Sequence, residues 1–323
     1  MCTAVDFASG GRYFGRNLDL EYSLGEEVVI MPRRFPLKFR YLGTLPEHCA
    51  IVGMALVKDG YPLYYDAVNE HGLAMAGLNF VGNAGFPSLG LLYDTVAQFE
   101  LIPYILTGCK TLDEAKDALM RVNFSDVPFG EGLPPAELHY MISDGVRSLV
   151  AEPMEDKLYV YENPFGVLTN NPPFPFHRDN MSLYLNLTKQ EAENRFSKGL
   201  PLKAFSRGMG AIGLPGDFSS VSRFVRAAFV KHSSVHCKDE LSSVNQFFHI
   251  LSSVSQPEGA VRVGENYERT QYSSCCNLNT GTYYYRTYGN SRINAVRLCD
   301  ENTGGEELLR FPLKTNEDVL YEN

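Results

Sequence analysis

A cysteine follows the first methionine directly, and this position offers chemistry that the other cysteines of the chain lack. Removal of Met1 would leave Cys2 with a thiol and a free α-amine on the same residue. The pKa of an α-amine is about 7.7–8.0, so this amine can accept a proton from an attacking thiol near neutral pH. A nucleophile activated by its own N-terminal amine requires no histidine. The sequence therefore predicts Cys2 as a nucleophile for acyl transfer.

Two other patterns that could do chemistry have simpler structural explanations. Residues 208–213 match G-x-G-x-x-G, but Pro215 follows closely and breaks the helix whose N-terminus a dinucleotide phosphate needs. The spacing of His232, His236 and Cys237 could place zinc ligands together. A zinc site needs three or four ligands with further support, and these three residues lie at a predicted helix end among serines. We therefore expect a glycine loop and a solvated helix end.

The remaining cysteines and histidines do not form a recognisable catalytic pair. Cys275 and Cys276 fall within one predicted strand, where neighbours point to opposite faces, so we expect two packed thiols. His139 and His249 lie in apolar patterns and are expected to be structural. A papain-like enzyme would pair a cysteine with a histidine, but no local signature favours any such pair.

Short runs of alternating or β-branched residues recur along the chain and predict the strands that must position Cys2. The predicted strands cover residues 3–8, 27–31, 50–57, 73–80, 138–143, 149–152, 158–162, 271–278, 282–288 and 293–299. Turn residues at 277–281 predict a hairpin. Residues 111–114 form a capping box for a helix, Ser220 is predicted to cap a helix over 221–231, and Asp239 precedes another helix.

Grouped strands with helices between the groups, rather than strict alternation, predict an α+β fold. We expect two antiparallel sheets face to face with helices on the outside. Without an internal repeat or a long linker, the sequence predicts one domain over residues 1–323. The polar and irregular stretch 186–208 predicts a surface excursion suited to subunit contacts.

Composition limits the partners and the cellular compartment. The chain has 323 residues, 44% of them hydrophobic, and a formal net charge of −9, which argues against nucleic-acid binding because phosphates attract Lys and Arg. Without an apolar window of about 18 residues, we expect no membrane span. The N-terminus lacks the basic start and apolar run of a secretory signal, and seven cysteines are not a disulfide framework. We therefore expect a cytoplasmic protein.

Five sequence blocks, which follow one another along the chain, add to the evidence that Cys2 gives about function. They are residues 15–23 (GRNLDLEYS), 77–80 (GLNF), 168–172 (LTNNP), 213–218 (GLPGDF) with 222–224 (SRF), and 283–288 (YYYRTY). Together with the Met-Cys-Thr start, they resemble the choloylglycine hydrolase family, which includes bile salt hydrolases and penicillin V acylases. The resemblance implies the N-terminal-nucleophile hydrolase fold, an αββα four-layer sandwich, in agreement with the predicted elements. It implies no metal or organic cofactor.

The resemblance also implies how the nucleophile is activated. Cys2 is the nucleophile, and its α-amine is the base that later protonates the leaving amine. Asp19 accepts a hydrogen bond from that amine and orients it. Arg16 places a fixed positive charge near the sulfur, which favours the thiolate.

Three more residues are assigned to the reacting carbonyl by the same resemblance. Asn170 offers its side-chain amide, and Asn79 its backbone N–H, to the oxyanion. Removal of one such donor typically costs about 2.7–4 kcal/mol of barrier. Arg223 completes the polar network around the nucleophile. The implied reaction is hydrolysis of an amide through a thioester on Cys2.

The expected substrate is a conjugated bile acid, because Asn79 stands where penicillin V acylases usually have Tyr. By family position, Leu18, Tyr65, Phe129 and Leu133 are expected to line an apolar acyl pocket wide enough for a steroid. The sequence leaves open whether glycine or taurine conjugates are preferred.

Two alternatives remain beside a bile salt hydrolase. One is a penicillin V acylase or another N-acyl amidase. The other is a non-catalytic binding protein that kept the fold and its tyrosine-rich hairpin. The family resemblance further implies a homotetramer, and 186–208 is the segment predicted to contribute to it.

Overall fold

The alternating runs form strands that assemble into two large antiparallel sheets, as predicted. This arrangement is seen in a computed structural model that describes residues 1–88, 90 and 93–323. Strands and helices are numbered in chain order. The first sheet contains, in spatial order, β14 (Val167–Leu168), β1 (Cys2–Ala8), β2 (Arg12–Leu20), β16 (Asn266–Asn277), β17 (Thr282–Thr287) and β18 (Asn290–Arg297), with β15 (Val261–Val263) paired to β16.

The second sheet has eight strands. In spatial order they are β13 (Leu158–Glu162), β12 (Ser148–Pro153), β11 (Leu138–Ser143), β8 (Ala74–Asn79), β7 (Tyr61–Asn69), β6 (Ile51–Lys58), β3 (Glu27–Met31) and β19 (Leu309–Pro312). Two small pairs complete the strands: antiparallel β4 (Leu37–Phe39) with β5 (Gly43–Leu45), and parallel β9 (Asp94–Ala97) with β10 (Val122–Ser125).

Within the described residues, six α-helices pack around these sheets. They are α1 (Leu101–Gly108), α2 (Leu112–Leu119), α3 (Phe174–Asn180), α4 (Ser220–Ser233), α5 (Glu240–Ser252) and α6 (Asp300–Thr303). Short 3₁₀ turns lie at Gln98–Glu100, Met181–Tyr184 and Met209–Ala211. Within the described ranges, no helix is long and apolar enough to cross a membrane; the longest, α4, has 14 residues.

The burial of β3 shows how the layers stack. All five of its residues are buried. Val28 and Ile30 belong to a core shared by the two sheets, whereas Val29 and Met31 belong to a second core shared with α1 and α2. Successive strand residues point to opposite faces, so this strand is covered on both sides. Helices α4 and α5 pack on the other sheet, and the predicted αββα order is confirmed.

The helix starts follow the predicted capping chemistry at two of three places. Thr111 and Glu114 form the predicted capping box, and the Asp239 carboxylate accepts from the Ser242 N–H at 2.9 Å. The assignment of Ser220 as a cap is wrong. Ser219 holds that position, one residue earlier, and its hydroxyl accepts from the N–H of the third following residue at 3.3 Å. Ser220 is the first residue of α4, and its hydroxyl bonds elsewhere.

Strand β2 was not among the predicted strands, although it carries the first family block. A Cβ at Gly15 would overlap the backbone carbonyl of Ser274, so glycine lets β2 lie close against β16. The register between these strands shifts between Thr270 and Tyr272, where a bulge lies opposite Asp19. Bulges re-aim neighbouring side chains, and this one lies beside the polar residues described next.

Candidate active site

Cys2 begins β1 and is buried, with 1% of its surface exposed. It lies opposite Leu18 in the register between β1 and β2. Its backbone N–H donates to Oδ1 of Asn170 at 2.8 Å, and its carbonyl accepts from Nη1 of Arg223. The first residue of β1 is therefore held from both sides by residues that the sequence assigns to the site.

Met1 continues the pairing between β1 and β2. Its terminal nitrogen donates to the Asp19 carbonyl at 2.6 Å, and the Asp19 N–H donates back to the Met1 carbonyl at 2.9 Å. The ammonium group also forms an ion pair with Glu268, and burial lowers its pKa. The Cys2 nitrogen is a peptide nitrogen in this chain, and removal of Met1 would turn that nitrogen into the predicted free amine.

Arg16 is fully buried in β2 beside Cys2. Its Nη1 donates to the backbone carbonyls of Tyr65 at 3.0 Å and Gly77 at 2.5 Å. Burial acts to lower the pKa of Arg16, but negative charge at Cys2 and Asp66 outweighs burial and raises that pKa. Among the described residues its Nη2 has no hydrogen-bond partner. A fixed cation with a free donor near the sulfur can stabilise a thiolate.

Asp19 is also fully buried, and its carboxylate is held by its neighbours. Oδ1 accepts from the Thr270 hydroxyl at 2.6 Å, and Oδ2 accepts from Nε2 of Gln256 at 3.4 Å. Burial raises the pKa of Asp19, while the charges of Arg223 and the N-terminal ammonium oppose the rise. With Met1 in place, the Cys2 N–H bonds to Asn170 rather than to this carboxylate. The role of Asp19 toward a free amine stays a prediction.

Asn170 connects three of the predicted residues through one side chain. Its Oδ1 accepts from both the Cys2 N–H and Nη2 of Arg223, the latter at 2.7 Å. Its Nδ2 donates to the carbonyl of Asn79 at 2.8 Å. The Phe80 N–H donates to the carbonyl of Glu137, the residue before β11, at 2.8 Å. Because neighbouring residues of a strand point their polar groups to opposite edges, the N–H and carbonyl of Asn79 face the edge where Asn170 lies. Both predicted oxyanion donors therefore lie at one place.

Arg223 is the second buried guanidinium of the site and projects from α4. Besides its bonds to Cys2 and Asn170, it donates to the Thr3 hydroxyl at 2.7 Å and to the Phe218 carbonyl at 3.0 Å. Burial lowers the pKa of Arg223, and the negative charges of Asp19 and Cys2 oppose that effect. The structure thus brings all six predicted catalytic residues together between β1, β2, β8 and the segment before α3.

Asp66 is a buried carboxylate of the site that the sequence reasoning missed. It accepts hydrogen bonds from the hydroxyls of Tyr272 at 2.5 Å, Tyr283 at 2.7 Å and Ser274 at 2.9 Å. Burial raises the pKa of Asp66, and the charge of Arg16 and the three hydroxyl donors oppose the rise. A carboxylate within the apolar alternation of β7, together with the tyrosine-rich block at 283–288, was the available signal.

A small apolar cavity lies beside these residues. Its volume is about 170 Å³, and Tyr65, Phe129 and Leu133 line it as predicted. Leu18 does not line it, because this side chain is buried in the core between the two sheets. The rest of the lining, which the sequence reasoning did not name, is Leu24, Leu56, Leu63, Tyr64, Gln98, Phe99, Ile102, Pro134, Ala136, Leu138 and Tyr140.

The cavity is joined to the polar residues at two points. The carbonyl of Tyr65, which lines it, accepts from Arg16, and Leu138 pairs with Asn79 across β11 and β8. An apolar group in the cavity would therefore lie next to the donors around Cys2.

Among the described residues, one cluster has the composition of a metal site, and it lies outside the six-residue site. Cys49, Glu70 and His71 place one ligand atom each within 4.8 Å of one another. The Glu70 carboxylate is already engaged by the Arg33 guanidinium and by the Ala50 N–H at 2.9 Å. Its oxygens therefore have partners in the protein.

Comparisons with known proteins agree with the hydrogen-bonded arrangement around Cys2. A family model described as linear amide C–N hydrolases, choloylglycine hydrolase family, matches residues 2–311. The chain is 46% identical to a protein of Lactiplantibacillus plantarum named bile salt hydrolase/transferase, over the full length of both. A protein of Clostridium perfringens with the same name is 36% identical, again over both full lengths.

Solved structures share the fold. A mutant of the conjugated bile acid hydrolase from Clostridium perfringens superposes with a TM-score of 0.91 at 34% identity, covering all of both chains. Penicillin V acylase from Agrobacterium tumefaciens has a TM-score of 0.78 at 18% identity, covering 99% of this chain and 94% of that one. The second likeness concerns the fold alone.

Proposed function

Because the chain belongs to the choloylglycine hydrolase family of linear amide C–N hydrolases, we propose that it cleaves the amide bond of glycine- or taurine-conjugated bile acids. The observation that carries the proposal is the hydrogen-bonded link from the Cys2 nitrogen through Asn170 to Asn79 and Arg223. This link supports the proposal, because it joins Cys2 by hydrogen bonds to three of the residues that the family resemblance assigns to the reaction.

The first half of the reaction forms a thioester. After Met1 is removed, the α-amine of Cys2 takes the thiol proton, and the sulfur attacks the amide carbon. The N–H of Asn79 and the side-chain amide of Asn170 bind the resulting oxyanion, while Arg16 stabilises negative charge on the sulfur. The tetrahedral intermediate then collapses, the C–N bond breaks, and the α-ammonium returns its proton to the departing glycine or taurine nitrogen.

The second half releases the bile acid. A water molecule gives a proton to the same amine and attacks the thioester carbon, and the same donors bind the second oxyanion. Collapse of this intermediate breaks the C–S bond and returns the proton to the sulfur. The steroid would occupy the cavity lined by Tyr65, Phe129 and Leu133. A cavity of about 170 Å³ is smaller than most ligand sites, so its loop walls must move outward to admit a steroid.

The substrate assignment can be tested with three amides. Purified processed enzyme should release glycine from glycocholate and taurine from taurocholate, and Cys2→Ser should lose nearly all of this activity because a hydroxyl ionises far less than a thiol. Cys49→Ser is the matched control, since Cys49 lies outside the six-residue site and should leave turnover unchanged. Cleavage of penicillin V without amino-acid release from either bile salt would instead assign the penicillin V acylase branch.

Processing of the N-terminus separates an enzyme from a non-catalytic binding protein. Mass spectrometry of the intact protein should show the loss of Met1, which exposes the Cys2 amine. A chain that retains Met1 and turns over none of the amides would favour the binding-protein alternative. A chain that retains Met1 and works at full rate would contradict the proposed base.

A second acceptor for the thioester is suggested by the names of two relatives, both called bile salt hydrolase/transferase. An amine can attack the same thioester carbon in place of water, which would transfer the bile acid to a new amide. Incubation with glycocholate and excess taurine should then yield taurocholate. Formation of free cholate alone would limit this chain to hydrolysis.

We also propose three broader properties, of which only the tetramer rests on the family. The enzyme forms a homotetramer, with residues 186–208 contributing to the contacts, since this segment exposes apolar side chains such as Phe196 and Phe205. It works in the cytoplasm, which suits seven free thiols. Residues 1–323 form one domain, because the core between the sheets joins residues from Cys2 to Leu298.

A further inference from the structure

A buried histidine lies between the two segments that carry the predicted oxyanion donors. His139, fully buried in β11, stacks on the ring of Phe80 with centroids 4.3 Å apart and planes within 7°. Its Nε2 lies 3.0 Å from the carbonyl oxygen of Thr169. Phe80 directly follows Asn79, and Thr169 directly precedes Asn170. One imidazole therefore contacts the sequence neighbours of both donors.

Glu152 fixes the orientation of this ring. Its Oε1 lies 3.1 Å from Nδ1 of His139 and accepts from the Phe174 N–H at 2.9 Å. Both side chains of the pair are fully buried. Because the Thr169 carbonyl can only accept, Nε2 of His139 must carry the donated hydrogen. The pair thus holds residues 169–174 at both ends, through the carbonyl of the first and the N–H of the last.

The same segment is held from its other side. Nε2 of His177 lies 2.9 Å from the carbonyl oxygen of Asn170, and its ring stacks on Phe224 with centroids 4.8 Å apart. The Asn170 N–H donates to the Ser220 hydroxyl at 2.8 Å. The backbone of Asn170 is fixed at both polar groups, but of these contacts only the one from His139 also reaches the strand of Asn79.

We propose that His139 is a positioning residue for the oxyanion site, holding the Asn79 N–H and the Asn170 amide at the separation that a tetrahedral intermediate requires. The inference rests on the proposed amide hydrolysis. Donors that are fixed before the reaction stabilise developing charge without a cost of reorganisation, and a misplacement of about 1 Å can cost roughly a hundredfold in rate. His139 does not touch Cys2 in any contact described above, so it acts through the two asparagines.

The test compares three variants of the processed enzyme. His139→Ala removes the stacking and both hydrogen bonds, and we expect kcat/KM to fall about tenfold or more. His139→Gln keeps a nitrogen donor at the position of Nε2 and should restore much of the lost rate. His48→Gln is the matched control, because His48 is also buried between two backbone carbonyls, those of Cys49 and Phe35, but lies outside the six-residue site.

Two further measurements separate positioning from a general structural effect. The inhibition constant of free cholate reports binding in the acyl cavity and should change less than about twofold. The rate at which iodoacetamide alkylates Cys2 reports the nucleophile alone, since that reaction forms no oxyanion, and it should also be preserved. The alkylation rate and kcat/KM are expressed per folded molecule, and the melting temperature of each variant is measured alongside.

Several results would overturn the inference. One is a His139→Ala enzyme whose kcat/KM equals that of wild type, while its melting temperature falls as much as that of His48→Gln. Another is equal loss in the alanine and glutamine variants. If His139→Ala does not fold, the glutamine variant decides, because its rate must lie within about tenfold of wild type. Failure of the proposed function itself is recognised separately, as wild-type enzyme that cleaves no bile salt; the comparison then uses whichever amide wild type does cleave.

Discussion

At the residue scale, the site places two buried guanidinium groups around one sulfur. An isolated buried charge is costly, and partners must compensate for it. Arg223 has hydrogen bonds from each of its three nitrogens, to Phe218, Thr3, Cys2 and Asn170. In the part of the chain that the structure describes, Nη2 of Arg16 instead has no hydrogen-bond partner. We therefore propose that Arg223 organises the protein around Cys2, and that Arg16 keeps a donor for charge that forms during the reaction.

Replacing Asn170 by alanine tests the oxyanion assignment. Removal of one oxyanion donor costs about a hundredfold to a thousandfold in kcat, and we expect a loss of this size for Asn170→Ala. The side chain also accepts from Arg223 and Cys2, so the melting temperature should fall as well.

The control for this prediction is Asn171→Ala. Asn171 is the next residue, and its Nδ2 donates to the carbonyl of Val81 rather than to the six-residue site. Its kcat should stay within about threefold of wild type. Full kcat in Asn170→Ala would remove that side chain from the mechanism.

The sequence predicted site residues where a motif marks them, and predicted them less well where only the fold brings residues together. Cys2 and Asn170 are 168 positions apart, and their contact depends on the pairing of β14 with β1. The family resemblance, rather than a local sequence pattern, predicted that these two residues belong to one site. Asp66 was not singled out, and His139 was expected to be structural, because a lone polar residue in an apolar strand gives no local sign of its partner.

At the element scale, two adjacent serines at the start of α4 have different tasks. Ser219 caps the helix through the Ser222 N–H, whereas Ser220 bonds to the Asn170 N–H and to Thr169. A pattern of residue types cannot distinguish them, because either hydroxyl could cap. The assignment depends on which one turns toward the segment before α3.

These serines make a matched pair of substitutions. Ser219→Ala should lower the free energy of unfolding by about 1 kcal/mol through loss of the cap, with kcat unchanged. Ser220→Ala should lower kcat several-fold, because the Asn170 N–H loses its partner near the oxyanion site. Urea unfolding and steady-state kinetics on both proteins check this. An equal effect of both substitutions on kcat would contradict the division of roles.

Strand β2, which carries the first family block, was missed, although the neighbouring site strands β1 and β8 were predicted. Strand β2 contains Arg16, Asn17 and Asp19, all fully buried, so its polar residues interrupt the alternation that marks a strand. Strands without catalytic residues, such as β3, follow the apolar pattern and were predicted with the observed bounds.

The wall of the acyl cavity is a second feature at this scale. Phe99 and Phe129 pack edge to face with centroids 5.1 Å apart, and both also line a neighbouring cavity of about 550 Å³. The two rings therefore lie between the small cavity and the larger one.

Phe99→Ala should join the two cavities and enlarge the acyl site. We expect a several-fold rise in KM for bile salts, because the steroid loses aromatic contact worth about 1 kcal/mol, with kcat changed less. Relative activity should move toward amides with bulkier acyl groups. Phe176→Ala is the control, since this exposed ring lies outside the cavity lining. An unchanged KM would show that the steroid does not reach Phe99.

At the scale of the whole molecule, one buried histidine couples stability to pH. Burial lowers the pKa of His177 to about 4, against 6.5 for a solvated histidine. Between these two pH values the unfolded chain binds a proton at this residue and the folded chain does not. The folded state therefore loses stability as the pH falls from 6.5 to 4, by up to roughly 3 kcal/mol from this residue.

His177→Gln should remove this contribution while keeping a donor for the Asn170 carbonyl. The difference in unfolding free energy between wild type and variant should shrink by roughly 3 kcal/mol from pH 7 to pH 4. Burial raises the pKa of Asp19 and Asp66, which acts in the opposite direction, but both carboxylates are present in each protein and cancel. Parallel stability curves for the two proteins would show that His177 titrates normally.

The proposed tetramer depends on residues 186–208, which extend from the end of the 3₁₀ turn at Met181–Tyr184 and contain neither helix nor strand. Phe196 is 84% and Phe205 88% exposed, so both offer apolar area that a partner chain can cover. A second copy of the chain that covers them would bury apolar area at both positions.

Replacing both Phe196 and Phe205 by serine should therefore convert the tetramer to smaller species in light scattering, while the melting temperature of the isolated fold changes little. Val146→Ser, at a 69% exposed position outside the segment, is the control and should leave the assembly intact. A tetramer that persists in the double variant would assign the contacts to another surface.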